Sequence, residues 1–142
     1  KYTEIVTDEE NCPTINLCSR KSLSDAAAEY ATLASSFLRG KITSEAGYDA
    51  SATEDNLAKD RFYAAYEQKV SSNISGMMKK SFSLVKKENN ANYFYQTYYL
   101  VESVASKNAR LKAYQQALAE TEENIQFGNT ISDYINETPS EE

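Results

Sequence analysis

The chain predicts an α+β domain in which two long helices pack on one face of a small, mainly antiparallel sheet. Three observations carry that prediction. Leu23, Ala26, Ala27, Tyr30, Leu33, Ala34, Phe37 and Leu38 follow one another at three- and four-residue steps, which places them on one face of a helix. Val104, Leu111, Leu118 and Ile125 repeat every seven residues, with Tyr114 among them and Ala105, Ala109, Ala113 and Ala117 alongside, which marks a second helix. Between the two, the strand-like runs 78–87 and 93–101 flank Glu88-Asn89-Asn90-Ala91-Asn92. Asparagine tolerates positive φ, so this linker suits a hairpin turn.

Along the chain, the first 20 residues have little periodicity beyond Tyr2-Thr3-Glu4-Ile5-Val6, a short strand candidate. Ser22 with Asp25 three positions on resembles a capping box, and Arg39-Gly40 supplies a stop, so the spacing predicts a helix over 22–39. Lys41 to Ser51 reads as a polar strand and 52–60 as a loop. Phe62, Tyr66, Val70 and Ile74 recur every four residues and favour a helix over 57–71, although the Ser- and β-branched-rich end from Val70 to Ser75 also suits an extended chain. In the hairpin, Met78, Phe82 and Leu84 share a face with Lys80 and Lys86. Tyr93, Tyr95, Thr97, Tyr99 and Val101 alternate with Phe94, Gln96, Tyr98, Leu100 and Glu102. Both faces of that run are bulky, so it is expected at the centre of the sheet with one face under helices. The second long helix is expected from about Ser103 to Phe127, ended by Gly128, and a short helix over 131–136 precedes Pro139. The whole reads as one domain over 1–142, with 1–20 an N-terminal segment and 137–142 an acidic tail.

Composition excludes more chemistry than it names. With 142 residues and 41% apolar side chains, the chain buries roughly two thirds of its unfolded surface and has enough for a core. It has 11 tyrosines but neither histidine nor tryptophan. The lack of imidazole removes Ser-His-Asp and Cys-His pairs, His-containing zinc sites and imidazole general bases. Cys12 and Cys18 are too few for an all-thiolate zinc site and too far apart for a Cys-x-x-Cys redox centre. They are the only candidate site residues: either a disulfide clipping the N-terminal segment, which implies an oxidising compartment, or two free thiols. No catalytic, cofactor-binding or metal-binding residue is assigned. No apolar run reaches the roughly 20 residues of a membrane span. Lys1 in place of Met is what a processed or trimmed chain would show.

Charge is segregated. The chain carries 15 Lys+Arg against 21 Asp+Glu, a net of −6, yet residues 61–112 hold nine basic and three acidic side chains. Residues 113–142 hold seven acidic and none basic. Lys79, Lys80, Lys86 and Lys87 among tyrosines invite a nucleic-acid reading, but the pI of about 4.8 and the scarcity of arginine there oppose it. The expectation is no nucleic acid, with these lysines guarding strand edges or pairing with acidic groups of the C-terminal helix.

Asp49-Ala50-Ser51-Ala52-Thr53-Glu54-Asp55 alternates oxygen-bearing side chains in the manner of a calcium loop. The glycine and bidentate glutamate positions of an EF-hand are filled instead by Glu54 and Asp60, so a solvated loop is expected. Glu45 with Asp49, and Glu120 with Glu122 and Glu123, are the carboxylate groupings on which histidine-free glycan cleavage would rest. None has the apolar setting that raises a general acid's pKa. Asn73-Ile74-Ser75 and Asn136-Glu137-Thr138 match glycosylation sequons.

The texture Ser24-Asp25-Ala26-Ala27-Ala28-Glu29-Tyr30-Ala31-Thr32-Leu33-Ala34-Ser35-Ser36 runs into Lys41-Ile42-Thr43-Ser44-Glu45. After Phe62 to Gly76 come Asn92-Tyr93-Phe94-Tyr95-Gln96-Thr97-Tyr98-Tyr99-Leu100-Val101-Glu102 and a long Ala-rich helix. Over residues 20–125 this resembles the small bacterial twenty-kilodalton envelope lipoprotein (Lpp-type) family, similar in fold to the N-terminal domain of the flagellar T-ring protein. The chain departs from that family in lacking a lipidation cysteine at its start, since neither Cys12 nor Cys18 follows an apolar region. The resemblance implies an extracytoplasmic protein of the bacterial envelope, in the periplasm or at the outer-membrane surface. It implies membrane attachment only through a lipid anchor not present in this chain, no cofactor and no catalytic residues. The expected function is therefore a non-enzymatic binding or assembly module for a partner protein or wall component. Two alternatives stand beside it: a histidine-free glycan-acting enzyme, and an all-helical secreted interaction protein.

Overall fold

Three strands form an antiparallel sheet in the order β1-β3-β2, in a computed structural model that describes residues 2–45, 53–89, 91–121 and 129–139. The elements are β1 (Tyr2–Cys12), α1 (Ile15–Glu45), α2 (Thr53–Ile74), a 3-10 turn (Ser75–Met77), β2 (Lys79–Lys87), β3 (Tyr93–Glu102), α3 (Ser103–Thr121) and α4 (Asn129–Asn136). The protein is α+β, and its sheet excludes the all-helical reading.

The hairpin forms as its sequence predicts. Asn89 Oδ1 accepts the backbone N–H groups of Ala91 and Asn92 at 2.8 and 2.9 Å, so the asparagine side chain supplies the turn's hydrogen bonds. The Tyr-rich run is the central strand, pairing with β1 and β2 on its two sides. Its odd-numbered residues Tyr95, Thr97, Tyr99 and Val101 are buried, while Phe94, Gln96, Tyr98 and Leu100 are half-buried on the other face. A register irregularity between Lys80 and Phe82 shifts the β2 pattern by one residue. Lys80 therefore pairs with Tyr99 on the helix side and does not share a face with Phe82, Leu84 and Lys86.

At the N-terminus the strand runs well past Val6, to Cys12, although Asp8, Glu9, Glu10 and Asn11 are poor strand formers. Pairing with β3 outweighs that local preference, since each residue from Tyr2 to Glu9 is matched to one of β3. Asn11 takes φ 57°, which an asparagine tolerates, and the shift there turns Cys12 towards the next element. Helix α1 begins at Ile15, not Ser22. Thr14 caps it, its hydroxyl accepting the Leu17 N–H at 3.2 Å. Ser22 lies inside the helix, fully buried, and joins Thr7 and Tyr99 by hydrogen bonds of 2.7 and 3.0 Å.

Gly40 does not end the helix, and residues 41–45 are helical where a strand was expected. Ile42 continues the four-residue stride of Tyr30, Ala34 and Leu38 and is buried with them. Burying an isoleucine contributes roughly 2 kcal/mol, which exceeds the roughly 1 kcal/mol a helical glycine costs. The rest of the expected strand, and residues 46–52 generally, lie outside the described residues. Residues 53–60, expected as a loop, form the first turns of α2, which continues to Ile74 on its stripe of Phe62, Tyr66, Val70 and Ile74.

Helix α1 lies on the inner face of β1 and β3, and α2 packs between α1 and α3. The helical layer thus includes a third long helix in place of the two expected. Phe62 anchors it, stacked on Tyr66 and edge-on to Tyr114 with ring centroids 6.3 and 6.0 Å apart. Helix α3 buries Ala109, Ala113 and Ala117 fully, and Leu111, Tyr114 and Leu118 pack half-buried against the same core, whereas Val104 of the seven-residue series is 67% exposed. The stretch 122–127 of the expected helix, and Gly128, lie outside the described residues. Helix α4 includes the expected 131–136 and packs against α1 and α3. Arg110 ties it down from α3: its buried guanidinium donates to the carbonyls of Ile135 and Glu137 and to the Tyr30 hydroxyl at 2.7 Å. A cation at a helix C-terminus satisfies both its unpaired carbonyls and its dipole.

Candidate binding face

Alternation in a three-stranded sheet sends one set of side chains under α1 and the other outward. The outer set is unusually apolar. Val6, Tyr98 and Phe82 form a row across the three strands, flanked by Leu84, Phe94 and Leu100. Phe82 stacks on Tyr98 with centroids 4.3 Å apart, yet remains 49% exposed, and Leu84 is 53% exposed. Towards one end the face deepens into a hollow of about 430 Å³ lined by Tyr2, Met77, Lys79, Leu100 and Glu102 among others. Lys79 and Lys86 stand at the two ends of β2 on this same face. Singly exposed apolar residues are ordinary, whereas a contiguous aromatic and aliphatic row on one sheet face characterises a recognition surface.

The two sheet edges differ in charge. Strand β2 carries four lysines and no carboxylate, and β1 carries Glu4, Asp8, Glu9 and Glu10 and no cation. Beside the free edge of β1, a groove of about 880 Å³ runs between Glu4–Asp8 and the α1 side chains Asp25, Glu29, Leu33 and Phe37. Glu9, the next residue of β1, is buried, 4.0 Å from Lys21, with Oε1 lacking a hydrogen-bond partner. Burial, then Asp25 and Glu29, push the Glu9 carboxyl up to about 7 against the opposing charge of Lys21. Among the described residues no three carboxylate or thiol groups converge as a metal centre would require.

On the inner face, Tyr95 is the centre of a polar cluster. Its hydroxyl accepts from Lys80 Nζ at 2.8 Å and from Ser83 Oγ at 2.9 Å, and Lys80 also donates to Ser19 Oγ at 3.1 Å. Burial pushes the phenol up, but the hydrogen bonds from Lys80, Ser83, Thr97 and Ser19 outweigh it and bring it down to about 7. The cluster fastens β2 and β3 to the first turns of α1, and its low exposure leaves the ring little access to a substrate. Cys12 and Cys18 are bridged, with Cα atoms 5.5 Å apart, and Tyr95 packs against the bridge. The disulfide joins the end of β1 to the start of α1.

Glu120 pairs with Lys69 of α2 at 3.2 Å, Glu45 ends α1, and Asp49, Glu122 and Glu123 lie outside the described residues. The calcium-loop segment also lies outside them up to Ala52, and Thr53 to Asp55 begin α2. Asn73 uses its amide on Ala109 O and Gln116 Oε1 at 3.3 and 3.0 Å, so a glycan there would break the α2–α3 contact. Sequence reasoning missed Tyr95, Glu9 and Arg110 as perturbed or buried polar groups. The adjoining signal was present only for Tyr95, whose neighbours Lys80 and Ser83 are in the paired strand.

Searches with the chain match no family model, no curated protein and no solved structure. Among the described residues no helix is long and apolar enough to cross a membrane.

Proposed function

We propose that this chain is a non-enzymatic binding module of the bacterial envelope, outside the cytoplasm, which holds a partner protein against the open face of its sheet. One observation carries the reading: the row Val6, Tyr98, Phe82, with Leu84 beside it, lies on the sheet face that no helix of the described chain covers. An apolar centre rimmed by Lys79 and Lys86 on the β2 side and by Glu4, Asp8 and Glu102 on the other favours a partner with an apolar patch bordered by charges of both signs, the arrangement of ordinary protein interfaces. The extracytoplasmic placement is supported by the Cys12–Cys18 bridge, since reducing cytosol keeps such pairs open. The envelope placement rests on the Lpp-type resemblance of residue texture and element order.

Site-specific photo-cross-linking in the source cell tests this. A photoreactive residue at Phe82 or Leu84 is expected to give one protein adduct, and one at exposed Gln68 of α2 or Lys112 of α3 none. Equal labelling at all four positions, or none at Phe82 and Leu84, overturns the reading.

A further inference from the structure

Among the described residues the sheet ends in two unpaired edges of opposite charge. Strand β2 exposes Phe82, Leu84 and Val85 at 49%, 53% and 46%, an edge that isolated proteins ordinarily shorten or cover. Its lysines flank that apolar centre, two at each end. Strand β1 offers the complement. Its outer edge borders the groove under α1, where Asp8, Asp25 and Glu29 line the walls beside the apolar Leu33 and Phe37.

We propose that copies of this chain associate head to tail, the β2 edge of one pairing with the β1 edge of the next. Both strands run antiparallel to β3, so they are parallel to each other, and simple translation across the sheet brings β2 of one copy beside β1 of its neighbour. In that arrangement Lys79 comes level with Glu4, and Lys86 with the stretch between Glu9 and Cys12, of the next copy, while Lys80 and Ser83 keep their hydrogen bonds to Tyr95. The outer residues Phe82 and Leu84 of β2 prolong the apolar row to Val6 of the next copy. The same charges oppose the symmetric alternatives, because β1 against β1 juxtaposes carboxylates and β2 against β2 juxtaposes lysines. An interface between different patches does not close as a twofold dimer, so the product is an open series or a ring of more than two copies. This assembly uses the strand edges, whereas the partner proposed above uses the sheet face.

Sedimentation of the full chain across a concentration series tests it, at low salt because exposed charges are screened within about 10 Å at 0.1 M. Expected are species growing past dimer with concentration and shrinking as salt is added. Charge reversal of one edge at positions that come level in this register, K79E/K86E or E4K/E10K, is expected to weaken association at least tenfold. Mixing the two variants is expected to restore it, because the reversed edges then complement each other. That rescue also shows both variants to be folded. A wild-type chain that stays monomeric up to about 1 mM, the weakest affinity of interest, overturns the proposal. So does a closed dimer, or a mixture that stays monomeric. A monomer that still gives a foreign adduct at Phe82 separates this failure from failure of the partner reading, while adducts made only of this chain leave the assembly standing without a foreign partner.

Discussion

Glu9 provides the sharpest quantitative expectation. Its side chain is 3% exposed, and its Oε1 is unpartnered as a carboxylate, facing Asp25 and Glu29 across the β1–α1 groove. Raising a carboxyl from its ordinary 4.5 to about 7 means the folded chain holds a proton that the unfolded chain has already released between those values. Stability from this group is full below the ordinary value and is lost as pH rises through about 7. At about 1.4 kcal/mol per pH unit the upper bound is about 3 kcal/mol. Lys21 and the water at the groove mouth reduce it, so about 1 to 2 kcal/mol is expected. Urea unfolding at pH 5 and pH 8 measures it. Between the two, Glu9→Gln, which has an amide at both pH values, is expected to lose that amount less than wild type, a difference in which the Tyr95 ionisation common to both chains cancels, and to be the more stable protein at pH 8. A Glu9→Gln chain with the same pH slope as wild type would refute the assignment.

Three other outcomes follow from the same side-chain environments. Arg110→Met leaves the Tyr30 hydroxyl and the Ile135 carbonyl without their donor, and a loss of about 3 kcal/mol is expected in urea unfolding, with α4 the first element to exchange its amides. Tyr95 is expected to ionise near 7 by ultraviolet difference absorbance, so its contribution to stability grows from there up to the ordinary tyrosine value near 10. In Lys80→Met that ionisation is expected to move to the ordinary value or above. Replacing Cys12 and Cys18 by serine opens a short loop and is expected to cost about 2 kcal/mol, read as a lower urea midpoint with the circular dichroism of the fold retained.

Local pattern carried the hairpin, the stripe of α2 and the central place of β3, because alternation and four-residue steps are properties of short windows. It failed where distant packing decided. Gly40 is a sound stop signal locally, and only the buried seat of Ile42 makes helix through it favourable. The acidic end of β1 looks unlike a strand until Thr97, Gln96 and Tyr95 are opposite Thr7, Asp8 and Glu9. Ser22 resembled a cap because its burial against Thr7 and Tyr99 depends on residues 15 and 77 positions away. The lysine-rich middle was legible as an edge, but the opposite charge on the other edge appears only once β1 and β2 flank the same strand. The outer apolar row likewise needs the register of three strands, so no single segment displays it.

Amide exchange across β2 tests the central claim most directly, by comparing dilute purified protein with the protein in its native envelope. An uncovered edge leaves the β2 amides that point away from β3 in fast exchange when the protein is alone. Protection of 79–87 in the envelope, with the solvent face of α2 unchanged, is the predicted result. Identical exchange of β2 in both settings would contradict the account.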